Sequence, residues 1–376
     1  GGLSIAHNGN LTNALLLRES LVKDGAIFRT TTDTETIVQL IAKSKRKRFL
    51  DKLIDALFQI QGGYSLILMT NKKLIGVRDP FGIRPLVVGK LKNSFIFASE
   101  TCALDIVGAT FIREIENGEI VVIENNELKS IKPFPKQKPR PCIFEYIYFA
   151  RPDSVAGGLS VYECRKSFGR QLANESHIEA DLVIPVPDSG VPAAIGYAEA
   201  SDIPFELGII RNHYVGRTFI EPTQTIRAFS VKLKHNANRI LVDKKRVILI
   251  DDSIVRGTTS IKIVQMMREA GATEVHMRIA APPIRHPDFY GIDTPVQDQL
   301  LAANSSLSEM CDFIGADSLA FLTVDGLYKA MGHKNGRDND NPAYTDHCFT
   351  GDYPTQLQDQ KNDEKIQQLS LLSERR

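Results

Sequence analysis

The sequence predicts two domains of different fold class, an α+β domain followed by an α/β domain with a mainly parallel sheet. Residues 1–132 contain short apolar or alternating runs separated by Gly, Asp, Asn and Pro, which is typical of a predominantly antiparallel sheet. Beyond residue 141 strand, loop and helix alternate, which favours a parallel sheet with helices on its faces. The length of 376 residues agrees with about two to three domains of ordinary size.

In the first domain, the spacing of apolar residues predicts helices over residues 11–24 and 33–43. Thr32 precedes the second helix and Glu35 follows three residues later, which is the pattern of a helix cap. Short strands are predicted over residues 64–69, 74–77, 86–88, 95–98 and 119–123.

A segment rich in proline and lysine, residues 133–141, predicts an extended linker before the second domain, which is placed at residues 142–355. The end of the chain is polar, and residues 356–376 are expected to form a weakly ordered tail. The strands of the second domain are predicted over residues 182–186, 205–209, 247–250 and 275–279, and its helices over residues 191–200 and 259–270.

The composition excludes several classes of protein. Hydrophobic residues make up 43% and charged residues 24%, which argues against wholesale disorder. The formal net charge is +1, so no overall bias indicates a nucleic acid or an anionic membrane as partner. No apolar run approaches the ~18 residues of a transmembrane helix. The 5 cysteines form no CxxC pair, which predicts reduced thiols and a cytoplasmic location.

Two adjacent carboxylates, Asp251 and Asp252, follow the apolar strand at residues 247–250, at the strand end where open α/β sheets bind ligands. A turn rich in Gly, Ser and Thr comes next and opens a helix, which suits a phosphate group. Since carboxylates repel phosphate, we interpret the two acids as acceptors for sugar hydroxyls or partners of a divalent metal. A solvent-exposed acidic turn would explain the capping residues but not two acids directly after four aliphatic residues.

A second small-residue turn, Asp188-Ser189-Gly190, follows the strand at residues 182–186 and suits a diphosphate, although such turns are common. Residues 211–224 lack clear periodicity and carry Arg211 and Arg217. They are either an ordinary surface loop or a lid that excludes water and neutralises a leaving diphosphate.

Together these motifs resemble those of the glutamine phosphoribosyldiphosphate amidotransferases (amidophosphoribosyltransferases). The resemblance implies an N-terminal-nucleophile amidotransferase domain and a type I phosphoribosyltransferase domain. It also implies the first reaction of de novo purine synthesis, in which phosphoribosyl diphosphate (PRPP), glutamine and water give 5-phosphoribosylamine, diphosphate and glutamate. The matching stretches are residues 7–11, 32–35, 78–86, 98–103, 148–154, 187–190, 214–224 and 251–260.

The resemblance assigns roles residue by residue. Asn8 and Gly9 would form the oxyanion hole of the glutaminase, although Asn-Gly is also a common hairpin turn. Asp33 would bind the α-amino group of glutamine or cap a helix. Arg217 would act from the lid. The expected PRPP ligands are Asp188, Ser189, Gly190, Asp251, Asp252, Ser253, Arg256, Gly257, Thr258 and Thr259, with Ser189, Asp251 and Asp252 near Mg²⁺.

Two features depart from the family pattern. The glutaminase nucleophile of the family is an N-terminal cysteine, whereas the first cysteine here is Cys102, so we expect that the front of the first domain is missing from the sequence. Some members hold an iron–sulfur cluster with four cysteines. Here Cys142 matches the first position, Asp288 replaces another, and the paired cysteines near the C-terminus are absent. One thiolate, or two if Cys348 is counted, cannot hold the cluster, so we predict none.

Alternative functions remain at this point. One is an ammonia-dependent phosphoribosylamine synthase with an inactive glutaminase, and another is a non-catalytic PRPP-binding regulator, against which the lid sequence argues. A salvage phosphoribosyltransferase acting on a purine base would leave Asn8 and Asp33 unexplained. The resemblance further implies a homo-oligomer inhibited by purine nucleotides, with no nucleic-acid or membrane partner.

Overall fold

The computed structural model describes residues 2–212, 235–292 and 296–360. Arg217, most of the expected lid and the last part of the expected tail lie outside the described residues. None of the helices in the described ranges has the length and apolar character needed to cross a membrane.

The first domain is a four-layered sandwich of helices and two antiparallel sheets. A five-stranded sheet has the order β1-β2-β3-β7-β8, and a three-stranded sheet has the order β5-β4-β6. The strands are β1 (Leu3–Leu11), β2 (Gly62–Thr70), β3 (Lys73–Arg78), β4 (Val87–Leu91), β5 (Ser94–Ala98), β6 (Thr110–Glu114), β7 (Ile120–Glu124) and β8 (Glu127–Ile131). The helices are α1 (Ala14–Lys23), α2 (Asp33–Lys43), α3 (Phe49–Leu57) and α4 (Thr101–Ile106).

Alternation along β2 explains the layers. Leu66 and Leu68 are buried in the core that the five-stranded sheet shares with α1 to α3. Ile67 points the other way, into the core between the two sheets. Successive side chains of a strand face opposite sides, so this one strand supplies both cores. On the far side of the three-stranded sheet, Leu104 of α4 packs against Val87.

The second domain is built on a four-stranded parallel sheet of order β11-β14-β15-β16. Its strands are β9 (Val155–Ala156), β10 (Leu159–Ser160), β11 (Leu182–Pro185), β12 (Ile209–Arg211), β13 (His235–Ala237), β14 (Arg246–Asp251), β15 (Glu274–Ile279) and β16 (Ser318–Phe321). Its helices are α5 (Val161–Glu175), α6 (Val191–Ser201), α7 (Arg239–Val242), α8 (Thr258–Glu269), α9 (Leu301–Asn304), α10 (Leu307–Ile314), α11 (Val324–Ala330) and α12 (His347–Thr350), with a π-helix at Glu145–Phe149 and a 3₁₀-helix at Gln297–Gln299.

The parallel sheet is buried on both faces, as expected for this class of fold. Ile248 and Ile250 of β14 belong to the core that includes residues of α5 and α6. Val247 and Leu249 belong to the opposite core, which includes residues of α8 and α10. The uninterrupted apolar run in the sequence therefore reflects burial on two sides.

Several expectations need correction. The predicted helix at residues 11–24 begins only at Ala14, because Leu11 pairs with Gly62 as the last residue of β1. Asn8 and Gly9 lie within β1, so the hairpin interpretation of that dipeptide is wrong. In place of the strand expected at residues 205–209, Phe205 forms an isolated bridge with Val183, and regular pairing starts at Ile209.

The linker and the last described residues of the chain both contact the first domain. The linker has no regular structure, but the backbone N–H of Arg140 donates to the carbonyl of Phe81 at 2.7 Å. Near the end of the described chain, the carboxylate of Asp359 accepts the backbone N–H groups of Leu15 and Leu16 at 3.0 and 3.1 Å. Asp359 is 8% exposed, so the chain is packed beyond residue 355, where the weakly ordered tail was expected to begin.

Helices α5 and α6 approach each other closely at two glycines. A Cβ atom at Gly196 would lie 1.9 Å from the carbonyl oxygen of Lys166, and one at Gly169 would lie 1.8 Å from that of Ala193. Since these contacts are with backbone atoms, the helices would have to separate to admit a larger residue.

We expect Gly196→Ala to destabilise the protein by about 1–3 kcal/mol, because the added methyl group clashes with backbone. Helix propensity alone predicts the opposite sign, a stabilisation of about 1 kcal/mol. Urea unfolding of the variant measures the difference. Ala200→Gly, at an exposed position of the same helix, controls for propensity. A Gly196→Ala variant as stable as the wild type would contradict the packing argument.

Candidate functional site

The acidic pair stands at the carboxyl end of β14. Asp251 is the last residue of that strand, and both Asp251 and Asp252 are buried, with 8% and 7% exposure. The backbone N–H of Asp252 donates to Oδ1 of Asp251 at 2.9 Å, and the hydroxyl of Ser253 donates to Asp252. The end of a buried strand thus holds two carboxylates side by side.

The pKa values of both carboxyls are raised. Burial is the main cause for Asp251, and the neighbouring charge of Asp252 adds to it. Burial also raises the pKa of Asp252, while hydrogen bonds from Ser189 and Ser253 and the charge of Arg165 act in the opposite direction. Arg165 is itself buried, and its guanidinium donates to the carbonyls of Tyr146 and Ala150 at 2.9 and 2.6 Å. Sequence reasoning missed this compensating arginine, which lies within α5.

The turn at residues 188–190 lies directly beside the acidic pair. Strands β11 and β14 are parallel neighbours, and the N–H of Val186 donates to the carbonyl of Ile250 at 2.8 Å. A Cβ atom at Gly190 would lie 2.3 Å from that carbonyl oxygen, so only glycine permits the contact. The turn at residues 188–190 therefore lies beside the end of β14 that carries the acidic pair, and the role of Ser189 as a ligand stays a prediction.

The third part of the site is the start of α8. Gly257 is the N-cap residue with φ of +74°, and Thr258 and Thr259 occupy the first turn of a 12-residue helix. The first N–H groups of a helix lack intrahelical acceptors and favour an anion. The guanidinium of Arg256 donates to Oε1 of Gln299 at 3.1 and 3.3 Å, and its expected role in binding PRPP stays a prediction.

Arg211 lies in the short part of the expected lid that the structure describes. Its guanidinium forms an ion pair with the carboxylate of Asp188. This places a cation at the edge of the turn at residues 188–190. The role expected for Arg217 stays a prediction.

In the first domain, Asn8 and Gly9 pair with Ser65 and Tyr64 of β2. Gly9 has φ of +130°, and a Cβ atom there would lie 2.0 Å from the carbonyl oxygen of Gly63. A side chain is therefore excluded by both backbone conformation and space.

Arg84 orients the side chain of Asn8. Its NH2 group donates to Oδ1 of Asn8 at 3.1 Å, which leaves the Nδ2 group of Asn8 as the donor. The buried carboxylate of Asp79 holds the turn before Arg84 by accepting the N–H groups of Phe81, Ile83 and Arg84. The motif at residues 78–86 was noted in the sequence, but this role of Arg84 was not predicted.

Asp33 is the first residue of α2, and Thr32 is the N-cap residue without a side-chain capping bond. The expected cap is absent because Glu35 instead accepts the N–H groups of Arg29 and Thr30. Burial alone would raise the pKa of Asp33, but the hydrogen bond and charge of His7 and the N–H of Leu11 lower it overall. An ionised carboxylate at this position suits an ammonium group.

The residues at the family's cluster positions do not fit an iron–sulfur cluster, which needs about four thiolates. Cys142 is buried, and burial raises the pKa of its thiol to about 12. Asp288 lies 2.7 Å from Nε2 of His347 in a fully buried pair. Within the described ranges, no group of three or more His, Cys, Asp or Glu side chains is placed to hold a metal ion.

Comparison with known proteins agrees with both halves of this geometry. Residues 1–105 match a family described as a glutamine amidotransferase domain, and residues 163–283 match one described as a phosphoribosyl transferase domain. Fold and site thus define a glutamine amidotransferase joined to a phosphoribosyltransferase.

The relatives identify the family. Over 379 residues the chain is 59% identical to amidophosphoribosyltransferase of Rhizobium etli, covering 99% of this chain and 76% of that protein. It is 53% identical to amidophosphoribosyltransferase 1, chloroplastic, of Arabidopsis thaliana, covering 94% and 62%. The solved glutamine phosphoribosylpyrophosphate amidotransferase of B. subtilis, complexed with ADP and GMP, matches with a TM-score of 0.89 and 49% identity over 95% of this chain and 78% of that one. The chain belongs to the amidophosphoribosyltransferase family.

The raised pKa of Asp251 makes a prediction about stability. A carboxyl whose pKa is higher in the folded state stabilises the fold at low pH, and this stability is lost as pH rises through the folded-state pKa. We therefore expect Asp251→Asn to unfold at a higher temperature than the wild type at about pH 8, with a smaller difference at about pH 4.5.

Asp181→Asn is the control, because its expected change in stability has the opposite sign. Hydrogen bonds from the backbone and side chain of Arg246 lower the pKa of Asp181, so this variant should be less stable than the wild type at neutral pH. Thermal unfolding without ligands at the two pH values checks both. If the difference in unfolding temperature between Asp251→Asn and the wild type does not grow with pH, the pKa of Asp251 is not raised in the folded protein.

Proposed function

We propose that this chain forms 5-phosphoribosylamine, diphosphate and glutamate from PRPP, glutamine and water, the first step of de novo purine synthesis. The observation that carries the proposal is the position of the turn at residues 188–190 beside the Asp251–Asp252 pair, because β11 and β14 are parallel neighbours and the N–H of Val186 donates to the carbonyl of Ile250. The glutaminase motif around Asn8 in the same chain distinguishes this function from transfer to a purine base.

Each part of the site has a proposed ligand group. The carboxylates of Asp251 and Asp252 accept the ribose hydroxyls, and Ser253, Gly257, Thr258 and Thr259 hold the 5-phosphate at the start of α8. Asp188, Ser189 and Gly190 bind the diphosphate. Arg211 lies beside that turn, paired with Asp188, and can pair with the diphosphate as it leaves. We propose that Arg217 and Arg256 add to this charge when PRPP is bound.

The donor set at the acidic pair fits Mg²⁺. This ion usually takes one or two carboxylates and completes its coordination with waters and substrate phosphate oxygens. Asp251, Asp252 and the hydroxyl of Ser189 would provide the protein ligands, and the ion would neutralise charge on the departing diphosphate. Burial raises the pKa values of both carboxyls, which means that their ionised forms are disfavoured without a ligand. A cation bound beside them would favour the ionised forms.

In the first domain, we propose that Nδ2 of Asn8 and the N–H of Gly9 stabilise the oxyanion formed when glutamine is attacked, while Asp33 binds its α-amino group. The ammonia released passes to the second domain and attacks C1 of the ribose. The family's nucleophile, an N-terminal cysteine, is not among the residues of this sequence.

Domain limits, assembly and regulation belong to the same proposal. We place the glutaminase at residues 1–132 and the phosphoribosyltransferase at residues 142–355, around the family matches. The B. subtilis structure, complexed with ADP and GMP, supports purine nucleotides as inhibitors. We also propose a homo-oligomer working in the cytoplasm, where the five free cysteines would stay reduced.

Asp251→Asn and Asp252→Asn should each lower diphosphate release from PRPP and ammonium by about 100-fold or more, because the ribose and metal ligands are lost. Asp181→Asn should keep the wild-type rate. Since Asp251→Asn is expected to be the more stable protein, a loss of activity cannot come from unfolding. Wild-type rates in both variants would contradict the proposal that Asp251 and Asp252 bind the ribose and the metal. If the wild type binds PRPP but releases no diphosphate, the result favours a non-catalytic regulator.

Asn8→Ala should separate the two half-reactions. In the protein expressed from its complete coding sequence, we expect glutamine-dependent synthesis to fall by about 100-fold, because one oxyanion donor is lost. Ammonium-dependent synthesis should not change. A wild-type protein that uses ammonium but not glutamine would support the ammonia-dependent alternative.

A further inference from the structure

The second domain contacts the strand that carries Asn8 and Gly9, the residues proposed for the oxyanion hole. Gly291 packs on Gly9 so closely that a Cβ atom at Gly291 would lie 2.7 Å from both Cα and the carbonyl carbon of Gly9. Beside it, Nδ2 of Asn10 donates to the carbonyl of Phe289 at 3.0 Å. The strand that carries the oxyanion donors therefore rests on a turn of the other domain.

That turn is held rigidly by Asp288. Its Oδ1 accepts the N–H groups of Tyr290 and Ile292 at 2.7 and 2.8 Å, and its other oxygen lies 2.7 Å from Nε2 of His347. The ring of Tyr290 meets His347 edge-on at 5.0 Å. All of these groups are buried or nearly so, so the turn has little freedom to move away from Gly9.

A second contact reaches Asn8 through Arg84. The NH1 group of Arg84 lies 3.3 Å from Oε1 of Glu145 in the second domain, and both side chains are at least nine-tenths buried. The NH2 group of the same guanidinium holds Oδ1 of Asn8. One planar group thus joins the carboxylate of one domain to the oxyanion donor of the other.

We propose that the phosphoribosyltransferase domain completes the glutaminase oxyanion hole, with Gly291 and Glu145 as positioning residues for Gly9 and Asn8. This inference rests on the proposed function, because it takes the oxyanion roles of Asn8 and Gly9 from there. Both residues would act through Gly9 and Asn8, and no direct contact with the substrate is proposed for them.

The physical reason is the tolerance of an oxyanion hole. Its donors act at about 2.7–3.1 Å from the developing charge, and a displacement of about 1 Å can cost about 100-fold in rate. Gly291 and Glu145 restrain both donors from the second domain. Ammonium-dependent synthesis needs only the second domain, so it should not depend on these contacts.

The first test is Gly291→Ala, with Gly332→Ala as the matched control. Both glycines have left-handed backbone, with φ of +103° and +94°, but a Cβ atom at Gly332 would meet nothing within 4 Å. Both variants therefore carry similar backbone strain, and only Gly291→Ala presses on Gly9. We expect kcat with glutamine to fall at least about 10-fold in Gly291→Ala and to stay within about 2-fold of wild type in Gly332→Ala. Both should keep the ammonium-dependent rate.

The second test is Glu145→Gln, which preserves the shape of the side chain but removes its charge. It should lower the glutamine-dependent rate with little change in the ammonium-dependent rate. Glu119→Gln is the control, because Glu119 pairs with Arg113 as another largely buried carboxylate of an arginine pair. It should lower the two rates equally or not at all.

The outcomes separate the inference from the function on which it rests. Equal loss of both activities in Gly291→Ala and Glu145→Gln, no loss in either, or the same loss in Gly332→Ala overturns the inference while the proposed function stands. A wild-type full-length chain that makes no phosphoribosylamine from glutamine, or an Asn8→Ala variant that keeps full glutamine use, overturns both.

Discussion

The burial of two adjacent carboxylates at the end of β14 is the constraint on which the second domain depends. Like charges at Asp251 and Asp252 repel each other and lose hydration, so their ionised forms destabilise the unliganded fold. The surroundings offset part of this cost for Asp252 through Ser189, Ser253 and the charge of Arg165. What remains is relieved by protonation at low pH, or by a ligand that brings positive charge or hydroxyl donors. The same arrangement therefore costs stability and creates affinity.

How much of the fold follows from the sequence depends on how local the signal is. Helix α2 and strands such as β15 were predicted within a residue or two, because their apolar spacing is complete within a short window. Strand β1 was missed, since Leu3–Leu11 contains His and Asn residues and owes its extended form to pairing with β2. Long-range pairing overrides local pattern at such positions.

The candidate site shows the same division. The turn after β11, the acidic pair and the start of α8 were predicted together, because in a parallel sheet the carboxyl ends of neighbouring strands share one edge. Arg84 and Arg165 were not predicted. Each acts on a residue distant in sequence, and the residues around an arginine carry no sign of such a partner. Gly291 was missed for a similar reason, because its closest contact, Gly9, is in the other domain.

The contacts of the second domain with Gly9 and Arg84 also suggest how the two proposed reactions of the chain are coupled. A linker such as residues 133–141 limits only the distance between the domains, whereas a displacement of about 1 Å at a reacting group can cost about 100-fold in rate. Backbone contact at Gly291 and the ion pair at Glu145 operate on that finer scale. In the proposed function ammonia is useful only where PRPP is bound, so a glutaminase that depends on contact with the second domain would avoid wasteful hydrolysis. In this proposal the contacts at Gly291 and Glu145, and not the linker alone, couple the two reactions.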